Sequence, residues 1–117
     1  MKVINSSNVM CVDIDDTLIM WKSPKYAEPR NKLCFTFKGK YVIKYIRENT
    51  VEELKRQKES GRYVVVWSDS GADWAEAIVK ALEIEDYVDL VMAKPTVYYD
   101  DKDSSEWLMR RRHVEEN

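Results

Sequence analysis

The stretch "VMCVDIDDTLIMW", Val9 to Trp21, opens as an apolar run. It then sets Asp13, Asp15 and Asp16 within four positions, ahead of a threonine and a second apolar run. The apolar residues before the aspartates do not alternate with polar ones. "NVMCVDI" (Asn8–Ile14) therefore reads as a strand buried on both faces. Such a strand delivers several like charges to one point, and crowded carboxylates repel one another unless a hard cation sits among them.

Working outward, "RYVVVWS" (Arg62–Ser68) reads as a second buried strand. The segment before it, "NTVEELKRQKESG" (Asn49–Gly61), predicts a helix. Asn49 with Glu52, or Thr50 with Glu53, offers a capping box, and Gly61 offers a stop. The segment after it, "GADWAEAIVKALEIED", repeats Ala75, Ile78, Val79 and Leu82 at helical spacing. "YVDLVMA" (Tyr87–Ala93) and "TVYYD" (Thr96–Asp100) predict two further short strands. Buried strands alternating with helices imply a parallel sheet. Between Met20 and Glu48 the pattern changes. "KLCFTFKGKYVIKY" (Lys32–Tyr45) alternates on either side of Gly39 and puts Leu33, Phe35 and Phe37 on one face, which predicts a hairpin with the glycine at its turn. It reads either as a flap inserted after the first strand or as an ordinary edge hairpin.

At 117 residues and 44% hydrophobic, the chain suits one α/β domain over residues 1–117, with the flap at about 20–48. A formal charge of −2 argues against a general nucleic-acid-coating role. No apolar run approaches a membrane span, and the N-terminus lacks the apolar core of a signal peptide. Cys11 and Cys34 form no framework, so a reducing cytoplasm is the expected location. The lone histidine, His113, lies in a charged tail, which disfavours His-based chemistry and a zinc site.

In an open parallel sheet, ligands bind beyond the carboxyl ends of the strands. Strand one ends in Asp13, Asp15, Asp16 and Thr17, and strand two in Ser68, Asp69, Ser70 and Gly71. Strand three runs into Lys94, and strand four ends in Asp100 and Asp101. Carboxylates, hydroxyls, a lysine and a glycine opening a helix together describe a phosphate site with a magnesium ion.

These residues resemble the haloacid dehalogenase superfamily of phosphohydrolases, in a form with a minimal cap. "DIDDT" (Asp13–Thr17) is similar to its D-x-D-x-T motif, Ser68 to its strand-ending Ser or Thr, Lys94 to its lysine, and "YYDD" to its paired aspartates. The resemblance spans Val9 to Asp101, most of the chain. It implies a small Rossmann-like three-layer sandwich with a mainly parallel sheet. It makes Asp13 the nucleophile, Asp15 the general acid and base, and Lys94 a catalytic cation. Thr17, Ser68 and Asp69 fall at the substrate, and Asp13, Asp15, Asp100 and Asp101 around Mg2+. Asp15 would give the ion its backbone carbonyl.

Asp69 departs from the small residue common at its position in that family. It reads as an N-cap of the following helix, or as a sign of an altered phosphate site. Asp16 reads as a structural residue of the first loop. Trp21, Trp67, Trp74 and Trp107 suit core or rim packing before base stacking. "RRRH" (Arg110–His113) suits a solvated helix end before a polyanion site. With so small a cap, the expected substrate is a phosphorylated macromolecular end, nucleic acid included, or a small phosphorylated molecule enclosed by an oligomeric neighbour. A catalytically weak phosphate- or protein-binding module on the same fold is the alternative.

Overall fold

The structure, a computed structural model, describes residues 1–24, 31–101 and 103. Its elements run β1 (Val9–Asp13), β2 (Ile19–Met20), β3 (Lys32–Phe37), β4 (Lys40–Ile46), α1 (Glu48–Glu59), β5 (Tyr63–Ser68), α2 (Ala72–Ala81) and β6 (Leu90–Ala93). A 3-10 turn, Glu85–Tyr87, precedes β6. Trp107, Arg110–His113 and residues 25–30 of the flap lie outside the described residues. No described helix is long and apolar enough to cross a membrane.

β1, β5 and β6 form a parallel sheet with β5 in the middle. The unbroken apolar run predicts this, and Val64, Val65 and Val66 are all buried. α2 turns Trp74, Ala75, Ile78 and Val79 into the core, and α1 adds Val51 and Leu54. The ladder register fixes the working end of the sheet. Asp13 pairs with Trp67 and Ser68 with Ala93, so Asp13, Ser68 and Lys94 all emerge together.

Three local expectations are corrected. The capping box does not form, because α1 starts at Glu48 and leaves Asn49 and Thr50 inside its first turn. Arg47 is the single residue between β4 and α1. Its N–H donates to the Leu18 carbonyl at 2.9 Å, and its own carbonyl accepts from the Thr50 and Val51 N–H groups. Asp69 does not cap α2. It is exposed, and the cap position falls to Gly71, whose φ of 104° suits a residue without Cβ. "TVYYD" forms no strand. Residues 94–100 have no regular structure, and Val97, Tyr98 and Tyr99 are exposed. β-branched and aromatic residues favour a strand only where a ladder partner is in place. Among the described residues β1 ladders with β5 alone.

The predicted hairpin is present and larger than expected. β3 and β4 join through Lys38 and Gly39, both at positive φ (50° and 80°), as a two-residue type I′ loop requires. β2 adds to the other side of β4, giving a three-stranded antiparallel sheet. Leu33, Phe35 and Phe37 point one way, with Val42 across from Phe35. Phe35 and Phe37 pack on Trp74 of α2, at ring centroid distances of 5.8 and 5.1 Å. The flap therefore rests on the helix that follows Ser68.

Candidate functional site

Asp13 is the last residue of β1. The chain then wraps the Ile14 carbonyl, which accepts from the N–H groups of Thr17, Leu18 and Ile19 at 3.1, 2.9 and 3.3 Å. Asp16 makes this turn possible at φ 60°, a conformation that Asp tolerates better than most residues. Its structural role is thus carried by the backbone, while its side chain is exposed. The turn brings Thr17 back over the strand end, where its hydroxyl donates to Asp13 Oδ2 at 3.1 Å. Lys94 Nζ lies 4.0 Å from Asp13 Oδ1, and the two side chains are 37% and 33% exposed, so both stay open to solvent. Lys94 is held there by its N–H, which donates to the Ser68 carbonyl at 2.9 Å.

Asp15 is bound quite differently. Its Oδ1 accepts from the indole N–H groups of Trp21 and Trp74, at 2.8 and 3.0 Å. Its Oδ2 accepts from the hydroxyls of Ser70 and Ser68, at 3.2 and 3.5 Å. Ser68 is fully buried, and its own Oγ accepts from the Ser70 N–H at 3.0 Å. Trp21 in turn carries the Lys44 ammonium 3.4 Å from its ring centroid and sits 6.3 Å from Trp74. The sequence pattern places Ser70 just after the second buried strand, but does not signal the two indoles, which read as packing.

The structure thus brings together Asp13, Thr17 and Lys94 on one side, and Asp15 and Ser68 on the other. Asp69 stands exposed and makes no hydrogen bond among the described residues. Asp100 and Asp101 are exposed beyond β6. Among the described residues, no three His, Cys, Asp or Glu side chains gather closely enough to hold a metal ion. A groove of about 600 Å³ runs along the seam between the flap and α2, lined by Phe37, Lys38, Asp73 and Glu76, and does not include Asp13. It marks where the flap leans on α2.

Chemically, the two carboxylates are unequal. Asp13 has an ammonium nearby and one hydroxyl bond, and it faces solvent, which suits attack on an electrophile. Asp15 is held by four donors, which suits a group that must stay oriented while moving a proton. Comparison with protein-family models, curated proteins and solved structures returned no match.

Proposed function

We propose that the chain is a magnesium-dependent phosphomonoester hydrolase of haloacid dehalogenase type, working through an aspartyl-phosphate. The observation that carries this reading is the division of labour at the end of β1. Asp13 lies open beside Lys94, while Asp15, two residues on, is held by four donors. A Rossmann-like three-layer arrangement belongs to the same proposal, and the burial of β5 on both faces supports it.

In this reading Lys94 receives the phosphoryl group beside Asp13 and offsets part of its charge. A carboxylate oxygen of Asp13 attacks phosphorus in line, and the bond to the leaving oxygen breaks as Asp15 gives that oxygen a proton. Asp15 then takes a proton from water. The resulting hydroxide attacks phosphorus, the bond to Asp13 breaks, and phosphate leaves with Asp13 again a carboxylate and Asp15 again protonated. The donors present are hard oxygens, as magnesium requires, but in the described conformation they are not assembled around a single point. When bound, the ion would offset the charge that keeps two anions apart.

The substrate we favour is a nucleotide or a nucleic-acid end. Residues 20–47 carry eight Lys or Arg against one Glu, a net +7 in a chain of net −2, so the remainder carries −9. A basic flap on an acidic body fits a polyanion held away from the sheet. The alternative, a phosphate- or protein-binding module without turnover, is favoured by the ungathered Asp100 and Asp101.

Release of p-nitrophenol from p-nitrophenyl phosphate separates the two. Activity should require magnesium and vanish with a chelator. Asp13→Asn should abolish it. Asp15→Asn should slow turnover by about 10²–10⁴-fold and accumulate phosphate on the protein, trapped by borohydride at Asp13. Phosphate on the Asp13→Asn protein, or full turnover in chelator, refutes the assignment.

A further inference from the structure

We propose that Trp21 and Trp74 are positioning residues that assign the two oxygens of Asp15, so that the seating of the flap and the placement of the catalytic proton are one event. This rests on the hydrolase reading above and adds the flap as its regulator. An indole N–H can donate and cannot accept. Oδ1, which receives two of them at 2.8 and 3.0 Å, therefore has no place for a proton. Oδ2 faces the hydroxyls of Ser70 and Ser68, at 3.2 and 3.5 Å. A hydroxyl can reverse, donating to a carboxylate or accepting from a carboxylic acid. The proton that passes to the leaving oxygen is thus carried by Oδ2, on the Ser68 side, where the phosphate would sit.

Both indoles answer to the flap. Trp21 directly follows β2 and lies under Lys44 of β4. Trp74 belongs to α2, but Phe35 and Phe37 of β3 pack on its ring, and Trp21 touches it from the side. A flap lifted off α2 withdraws Trp21 and unseats the packing that orients Trp74. Asp15 then loses the donors that hold Oδ1, and either oxygen can take the proton. A seated flap restores the single orientation, which gates turnover without the flap touching the reacting atoms.

The test uses Trp74→Phe and Trp21→Phe in the full chain. Each keeps an aromatic ring and removes one N–H. Trp21 is 54% exposed against 7% for Trp74, so its variant disturbs the core less and keeps the test available if the Trp74 variant misfolds. Kcat is measured with p-nitrophenyl phosphate, whose leaving group needs little protonation, and with an alkyl phosphate, which needs it fully. The expected result is a fall of about 10-fold or more with the alkyl ester and a much smaller fall with the aryl ester, because misorientation harms proton delivery first. An equal fall with both esters, or no fall in either variant, overturns the proposal. A second readout is independent of turnover. In Asp15→Ala, the indole N–H resonances of Trp21 and Trp74 should both shift while that of Trp67 stays. Unmoved resonances overturn the clamp itself. A wild-type chain that hydrolyses no monoester removes the hydrolase reading and the proton assignment with it, and the resonances still decide whether the clamp exists.

Discussion

Asp89 stands where the chain turns into β6, and its carboxylate accepts from the Lys58 ammonium and from the Val64 N–H, both at 2.7 Å. Burial pushes this carboxyl toward its neutral form. The bonds from Lys58 and Val64, with the charge of Lys58, outweigh that and hold it below its ordinary value. A carboxyl depressed on folding stabilises the fold fully above its unfolded value, near 3.8, and loses that contribution as pH falls through the lower folded value. The pair is 22% and 33% exposed, so solvent screens part of the effect. Asp89→Asn should therefore cost about 1 kcal/mol near neutral pH, with the gap closing below about pH 4. Urea titrations at pH 7 and pH 3 read the gap directly, and one that stays constant would show that the ion pair is not its source. The residue matters to the site because β6 delivers Lys94. Nothing in "YVDLVM" marks Asp89 as more than a surface carboxylate, since its partners lie 31 and 25 residues away. Asp13, Thr17 and Lys94 were legible for the opposite reason: Asp13 ends a strand with Thr17 four residues on, and Lys94 directly follows another strand.

Among the elements, those with an unambiguous period were read correctly: the buried strand β5, the amphipathic α2 and the alternating hairpin around Gly39. β1, read as buried on both faces, is instead the edge strand of its sheet among the described residues, with Val9 43% exposed and Met10 and Cys11 half-buried. The readings that failed depended on context that the period does not carry. The box at Asn49 or Thr50 assumed a loop before α1, and β4 runs almost straight into it. "TVYYD" has strand residues but no ladder. The clamp on Asp15 escaped because Trp21 and Trp74 lie 6 and 59 residues from it and double as packing. At this scale the flap can be tested as a unit. Replacing residues 35–42 by an Asn-Gly turn keeps Cys34 across from Ile43 and removes Phe35 and Phe37 from Trp74. If the flap gates the cleft, KM and the ranking of substrates should shift together in the folded variant. A change in stability with an unaltered ranking would reduce the flap to an edge ornament.

Across the whole molecule, charge is divided rather than mixed: +7 on residues 20–47 against −9 elsewhere. Among the described residues, Lys38 meets a carboxylate, Asp73, at 3.8 Å, whereas Lys22, Lys32, Lys40 and Lys44 have none within ion-pair distance. Lys44 lies over Trp21, which holds Asp15. In the hydrolase reading, uncompensated cations on the flap should favour substrates with further phosphates along a strand. For single strands, each phosphate contact contributes a salt slope of roughly 0.7 in log–log form. An oligonucleotide with a 3′-phosphate should therefore lose kcat/KM steeply as salt rises, while p-nitrophenyl phosphate, with one phosphate, should change little. Lys32→Gln with Lys40→Gln, neither of which bonds Asp13, Asp15 or Lys94, should flatten the oligonucleotide slope and leave the small ester unaffected. Parallel salt dependence for the two substrates would mean that the flap's charge is a solvated surface and that the substrate is a small monoester.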